Sequence, residues 1–476
     1  MPLNTRICII GGGPSGLSAA YALSKLGYNN VTLLEKYHTV SGMCESADIE
    51  GKIYDLGGQV LAANSAPTVF HLAKELGSEL EEMDNHKLAL IDSSTGKFED
   101  INVADDYVSV IPLAFELQDK VKKSGRNGVH AISEFASEPV PEFLESKGLK
   151  NVPKSVAYGY TASGYGFVQD MPYAYIHEFT RTSMAEVKVM EFDKIIISGS
   201  FPFTNGKVYR SPTYIPPDGD NGLMDLSDLE KELFSKVETI DYYTTVMKIK
   251  GFDHLPIGFY YFGEFMDDPA TIGNPVAVQR FYADTDIYLF WSYGNSVDIK
   301  GPKVTQLAID AVNRMGGEVE SIILQRRFKY FPHVTSQDMK EGFYDKMEME
   351  LQGQQKTYYV GGLVAFELTE RNSTYAMNLI RKHFANDDPL PNFPYVKRLF
   401  PLLSDSLDRS PERLDEYPGV TFPDLGSLDG YLTHWGTHEL TKDKTLYTWI
   451  NDEGEEAYKR SYKELMLTLL VLLISC

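Results

Sequence analysis

The chain has 476 residues, with 45 Lys+Arg against 67 Asp+Glu for a formal net charge of −22, and is 43% apolar and 24% charged, the composition of a soluble globular protein. An acidic balance of this size repels a phosphate backbone and makes nucleic acid a poor ligand. The three cysteines, Cys8, Cys44 and Cys476, are too few and too scattered for a disulfide framework or a zinc site, so no metal is expected and a reducing, cytoplasmic compartment is.

In chain order, Ile7, Ile9 and Ile10 form a short β-branched run that meets Gly11-Gly-Gly-Pro-Ser-Gly16. A helical pattern follows (Ala19, Leu23, Leu26), Gly27 stands where a left-handed residue ends it, and Val31–Leu34 is a second strand closing on Glu35. The start runs directly into these glycines, so no secretory signal is expected. Residues from about 60 to 150 read as a helical, amphipathic insertion. Residues 155–175 are dense in Tyr and Gly, 186–198 read as two strands around a tight turn, and 255–295 as aromatic and β-rich. Residues 303–315 read as helix, Thr357–Gly362 as a short strand ending in glycines, and Ser373–Phe384 as helix. Between Ala385 and Asp424 lie 7 of the 24 prolines, the pattern of a linker or wrapped tail. The apolar run Leu465–Ile474 is about half of the ~20 residues a membrane helix needs, so no stable membrane insertion is expected.

The strongest local signal is Gly11-x-Gly13-x-x-Gly16 between strand and helix, with Glu35 at the end of the next strand, 19 residues past the last glycine. Gly11 permits the tight turn, Gly13 lets backbone amides approach a pyrophosphate, and Gly16 lets the helix pack closely on the strand. The helix N-terminus offers unpaired N–H groups to the anion, and Glu35 can accept the ribose hydroxyls. This reads as a dinucleotide site. The motif alone does not separate FAD from NAD.

Val40-Ser-Gly-Met-Cys-Glu-Ser46 resembles the second fingerprint of FAD proteins of the amine oxidase-like superfamily, with Ser41 for the first Gly and Met43 for the basic residue. Tyr54-Asp-Leu-Gly57-Gly58 resembles the turn that follows it. Three further stretches resemble the flavoproteins that isomerise double bonds of polyunsaturated fatty acids: Ser163–Tyr175, Lys329–Asp338 with Glu341–Glu348 behind it, and Thr357–Gly362 through Tyr375 and Phe384. Together the matches spread over residues 6–384, about four fifths of the chain.

The resemblance implies an α/β fold: a Rossmann-type FAD-binding domain interleaved with a mixed α/β substrate domain, amine oxidase-like, plus a C-terminal extension. The implied organisation is a Rossmann core at 1–60, a helical substrate-domain insertion at 61–175 and a shortened return to the FAD domain at 176–215. A β-rich substrate domain at 216–325, a C-terminal FAD-binding segment at 326–384, a Pro-rich linker at 385–424 and an extension at 425–476 complete it. The extension, with Leu432-Thr-His-Trp435 and Asp443–Asp452, resembles the start of a fatty acyl adenylate-forming ligase.

Implied cofactor contacts fall on Gly11, Gly13, Pro14, Ser15, Gly16, Glu35, Lys36, Gly42, Met43, Gly57, Gly58, Gly361, Gly362 and Ser373. Implied contacts to a polyunsaturated fatty acid fall on Lys87, Tyr165, Tyr330 and His333. No side chain is expected to be catalytic, because flavin N5 carries the hydride chemistry. His333, alone in an aromatic run, reads first as a core or edge residue. Tyr158, Tyr160, Tyr165, Tyr173 and Tyr175 either line an apolar tunnel or belong to a β-rich core.

The departures from the family are Leu363 where an acid often follows the last glycine, and Leu88, with His86 and Lys87 beside it, where relatives carry a carboxylate-capping Arg. Several dozen residues are also absent after Ala185, where relatives have part of the substrate lid and a strand beside the adenine. Two alternatives therefore stay open: a flavin amine oxidase or other CH oxidase using O₂, and an inactive, shortened homologue.

Overall fold

The computed structural model describes residues 2–35, 40, 42–58, 66–76, 86–101, 110–189, 226–266, 268–295 and 297–385, with three short strands beyond 385. The Rossmann opening is β1 (Ile7–Ile10), α1 (Pro14–Lys25) and β2 (Val31–Glu35), with β1 and β2 parallel and Ile9 opposite Leu33. Every residue of α1 is buried. Ala19, Ala20 and Ala22 are small enough to let it pack closely. Gly27, at φ +85°, takes the left-handed position that ends the helix.

A hairpin of β3 (Ser46–Ile49) and β4 (Lys52–Asp55) follows, then α2 (Pro67–Leu76). The region read as a helical insertion is only partly so. It holds helices Ile111–Ser124, His130–Ser133 and Val140–Ser146, but also β5 (Lys87–Ile91) and β6 (Phe98–Asp100). Those strands join β7 (Glu238–Lys250), β8 (Gly258–Tyr261), β9 (Pro275–Arg280), β10 (Ile287–Gly294) and β11 (Glu318–His333) in one sheet of order β11-β7-β10-β9-β8-β5-β6. Its pairs are antiparallel except β5 with β8.

All of β10 is buried, so its two side-chain rows enter two cores. Leu289, Trp291 and Tyr293 face the large core shared with the Rossmann elements, while Tyr288 and Phe290 face a smaller one. The smaller core is closed by Ala308 and Val312 of helix Gly301–Arg314. Burial of each large apolar side chain contributes roughly 1.5–3 kcal/mol.

Among the described residues, two stretches expected to be strands, 186–189 and Thr357–Val360, are not. Residues 186–189 continue the helix α3 (Tyr173–Val189); their alternating valines fit a strand, but they extend three preceding turns of helix. The rest of that stretch, 190–198, lies outside the described residues. Thr357–Val360 is unpaired in any sheet and leads into the short helix Gly362–Ala365, after which α4 (Thr369–Phe384) packs along α1.

Most of the Pro-rich stretch and of the extension, including the ligase-like residues and Leu465–Ile474, lies outside the described residues. Its strand Gly436–Leu440 runs antiparallel along β2, a contact the proline-rich spacing does not announce. No described helix is long and apolar enough to cross a membrane.

Candidate dinucleotide and substrate site

Gly11–Gly16 are buried, and Gly13 is the N-cap of α1, with no side chain capping the helix and no acid in its first turn. A buried helix start of this kind leaves amides directed at an anion. A Cβ on Gly16 would stand 2.0 Å from the Gly11 carbonyl oxygen, so the turn closes on the helix only without a side chain there. Gly42, at φ +64°, brings its backbone over Gly13, where a Cβ would be 3.0 Å from the Gly13 Cα. Glu35, 4% exposed, accepts a hydrogen bond from the Gly12 N–H at 2.6 Å, which fixes the acid at the mouth of the turn. Met43, Gly57 and Gly58 are also buried. Lys36 lies outside the described residues.

The second half of the cradle comes from the far end of the chain. Gly361 takes φ +126° and ψ 179°, which glycine alone adopts at ease, and it starts the helix Gly362–Ala365. Asn372 then ties the two halves together. Its Oδ1 accepts from Ser15 Oγ at 2.9 Å, and its Nδ2 donates to the carbonyls of Phe366 (3.2 Å) and Leu368 (3.0 Å). The Thr369 and Ser373 hydroxyls are buried and make no hydrogen bond to the described residues. The uncapped helix start, the acid at the mouth and these hydroxyls fit the pyrophosphate, ribose and ribityl parts of a flavin dinucleotide.

Two acids on α3 and α4 that sequence reasoning missed hold this frame. Glu370 accepts from the Thr68 and Val69 N–H groups at 3.2 and 3.0 Å, so one helix caps the positive end of another. Glu178, fully buried, pairs with Arg181 at 3.2 Å and Arg371 at 3.4 Å. Burial, with Arg181 alongside, lowers the Arg371 pKa to about 10. Charged residues on helices read from sequence as solvated faces, and only the tertiary contact reveals these.

On the other side of residues 361–372 lies an aromatic cluster centred on Tyr165. Its ring lies 5.0 Å from those of Tyr160 and Phe366, 5.1 Å from Phe331 and 6.0 Å from Tyr330. Phe331 and Phe366 have φ of +47° and +75°, each costing about 1–3 kcal/mol that the surrounding packing must offset. The cluster draws on helix and sheet together: Tyr160 lies on helix Lys154–Ala162 and Tyr175 on α3, whereas Tyr330 and Phe331 lie on β11. Tyr242 and Tyr293 reach from the sheet to donate to the carbonyls of Ala162 and Thr161, satisfying the end of that helix.

His333 stacks on Phe331 with 4.9 Å between ring centroids, and its Nδ1–H donates to the Phe331 carbonyl at 2.8 Å. Burial lowers its pKa, which favours the neutral ring. Lys87 departs from expectation. It lies on β5 with Nζ 2.6 Å from Asp100, side chain 40% exposed, so its charge is directed to the sheet edge. Cys44 is buried, as a small hydrophobe would be.

Residues 9–76 match the family model for an NAD(P)-binding Rossmann-like domain. Among curated proteins, a dihydrolipoyl dehydrogenase of Buchnera aphidicola subsp. Baizongia pistaciae (strain Bp) is 50% identical over 42 residues, 9% of each chain. An uncharacterized protein in the nifH2 3' region of Methanothermococcus thermolithotrophicus is 46% identical over 52 residues, 11% of this chain and 49% of that one. The chain thus spans less than half the length of either curated relative. Solved structures match far more of it. The CLA-producing fatty acid isomerase from P. acnes superposes with a TM-score of 0.63 at 21% identity, covering 81% of this chain and 100% of that one. Putrescine oxidase bound to putrescine gives 0.52 at 12% identity, covering 80% and 99%. The chain therefore carries an NAD(P)-binding Rossmann-like domain within a mixed α/β fold shared with the fatty acid isomerase and putrescine oxidase structures.

Proposed function

We propose that this chain is an FAD-dependent enzyme that moves double bonds along a polyunsaturated fatty acid. The observation that carries the reading is Asn372, which joins Ser15 of the phosphate turn to the carbonyl of Phe366, whose ring packs on Tyr165. One segment thus has the dinucleotide cradle on one side and an apolar aromatic cluster on the other. The α1 amides and Ser15 hold the pyrophosphate, Glu35 the ribose, and Gly361–Gly362 with Thr369 and Ser373 the ribityl end. When bound, FAD supplies acceptance and return of a hydride at N5. The protein orients the hydrocarbon chain among Tyr165, Tyr330, Phe331 and Phe366 and excludes water from it. Neutral His333 supports the Phe331 backbone and contributes shape to that wall. On this reading 1–60, 176–215 and 326–384 are the cofactor domain, 61–175 and 216–325 the substrate domain, and the chain from 385 an appendage.

The test is anaerobic incubation of flavin-loaded protein with linoleic or longer polyenoic acids, following the ultraviolet absorbance of conjugated dienes and trienes. Conjugation without oxygen consumption is expected, because the hydride returns to the product. Bleaching that persists until air is admitted, with hydrogen peroxide formed, would make the chain an oxidase. A colourless protein that takes up no flavin would make it an inactive homologue.

A further inference from the structure

One row of the large sheet is apolar from strand to strand except at a single position. The register places Leu324 (β11), Val246 (β7), Leu289 (β10), Gln279 (β9), Phe259 (β8) and Leu88 (β5) side by side, on the face turned to the large core. Gln279 is 0% exposed, and neither its Oε1 nor its Nε2 makes a hydrogen bond to the described residues. Ala277, two residues back on the same face, is buried in that core, and Phe281, two residues on, packs against it. Arg280 turns to the opposite face, where it donates to the carbonyls of Asp253 and Leu255, so its charge is held away from the amide. A glutamine amide carries donors and an acceptor together, and leaving both unmet in an apolar interior is destabilising. An apolar side chain would remove that penalty, so the amide is explained by what it meets.

The row is continuous with the aromatic cluster. Leu289, Trp291 and Tyr293 share its face on β10. Trp291 stacks on Phe259 at 6.0 Å, and Tyr293 leads through Tyr242 (5.5 Å) and on to Tyr330 (5.6 Å) and Tyr165 (6.0 Å). From Tyr293 to Leu289 the strand advances ~13 Å at ~3.3 Å per residue, a span that a long hydrocarbon chain covers.

We infer that Gln279 receives the polar end of a long-chain substrate, and that this end is uncharged and both donates and accepts a hydrogen bond. The inference rests on the proposed enzyme reading for the presence of an apolar chain along this face. A carboxylate offers acceptors only. It would set one oxygen against Oε1 and lose its water shell among Phe259, Leu289 and Ala277 with no counter-charge from the amide. An undissociated carboxyl or a primary amide closes two hydrogen bonds with Gln279 at once: Nε2–H donates to its carbonyl oxygen, and its own O–H or N–H donates to Oε1. Those two head groups share the chemistry.

The experiment compares the purified full chain with Gln279→Met and Gln279→Glu. Binding of linoleamide and of methyl linoleate, which has no donor, is read by equilibrium dialysis below the concentration at which either aggregates, and needs no turnover. Wild type should bind linoleamide at least tenfold more tightly than the ester. Q279M, of similar shape and without hydrogen bonds, should bring the two within twofold, and Q279E, whose buried neutral carboxyl again donates and accepts, should restore part of the preference. A wild type without the preference would make Gln279 an internal amide met by water and overturn the inference, as would a Q279M protein that keeps it. Q279M should also unfold at or above the wild-type temperature. Unfolding well below it would reveal a partner for the amide inside the protein, and would equally overturn the inference.

Turnover then separates the two head groups. Faster conjugation of linoleic acid at pH 6 than at pH 8, with linoleamide unchanged over that range, assigns the site to the undissociated acid; conjugation of linoleamide alone assigns it to the amide. Linoleic acid that reacts equally at both pH values and faster than the amide contradicts an uncharged end. If the linoleamide preference depends on Gln279 while no polyene is conjugated, the site stands and the isomerase reading fails; conjugation without the preference leaves that reading and removes the site.

Discussion

Gly16→Ala should yield a protein without bound flavin that is destabilised by about 3 kcal/mol, the upper end of what an overpacked methyl costs. The new Cβ would sit 2.0 Å from the Gly11 carbonyl oxygen and 3.4 Å from Ile9 Cγ2. The first obstacle is backbone and cannot rotate away, so α1 must lift off β1, and the amides of its first turn leave the position that receives a pyrophosphate. Gly159→Ala is the control. It lies within helix Lys154–Ala162, its Cβ would meet the Phe179 ring at 3.5 Å, an ordinary contact, and it should gain roughly 0.5–1 kcal/mol. Thermal unfolding and flavin absorbance of the two variants measure both effects. Equal flavin content in Gly16→Ala and wild type would remove the phosphate turn from the account.

The second large effect is a pH dependence set by Asp55. This carboxyl, at the end of β4, is 9% exposed and accepts from Ser46 Oγ at 2.5 Å. Burial raises its pKa from 3.8 to about 7, against the hydrogen bond that lowers it. The unfolded chain releases this proton near pH 4 and the folded chain near pH 7. Between those values the folded state binds the extra proton, so stability is greatest below pH 4 for this group and falls as pH rises to 7. The swing is on the order of 4 kcal/mol at about 1.4 kcal/mol per pH unit. Asp55→Asn, which keeps the acceptor and loses the charge, should remove it. Urea unfolding of both proteins at pH 4.5 and 7.5 is the check, with the wild type losing several kcal/mol more than the variant over that interval. Parallel pH profiles would mean that Asp55 ionises in the folded chain as it does in water.

What was legible in the sequence follows from how local each signal is. The β1–α1–β2 opening is readable because glycine spacing, helix period and Glu35 all lie within 30 residues and each has a steric reason. Strands β5 and β6 were missed because Lys87–Ile91 and Phe98–Asp100 gain their partners from a sheet assembled over more than 200 residues, and β5 pairs with β8 across about 170 of them. The valines at 187 and 189 suggest a strand by alternation, yet a helix already running from Tyr173 is cheaper to extend than to restart.

In the site, the glycines at 11, 16, 42 and 361 announce themselves because each marks a backbone conformation or approach that a side chain would disturb. Asn372, Glu370 and Glu178 do not. Their roles are hydrogen bonds, ion pairs and contacts between elements, and an Asn or Glu in a helical stretch has no periodicity that distinguishes a buried partner from a solvated face. Lys87, placed by family position, pairs with Asp100 across two strands, a contact that no local pattern in the sequence signals.

The central claim is that the two halves of the cradle, Gly11–Glu35 and Gly361–Ser373, hold FAD. The most direct measurement is the identity and amount of nucleotide released when the purified full chain is denatured, determined by mass spectrometry against the protein concentration. The account predicts close to one FAD per chain. Protein that carries no flavin after incubation with FAD, or that retains a nicotinamide dinucleotide in its place, would contradict it.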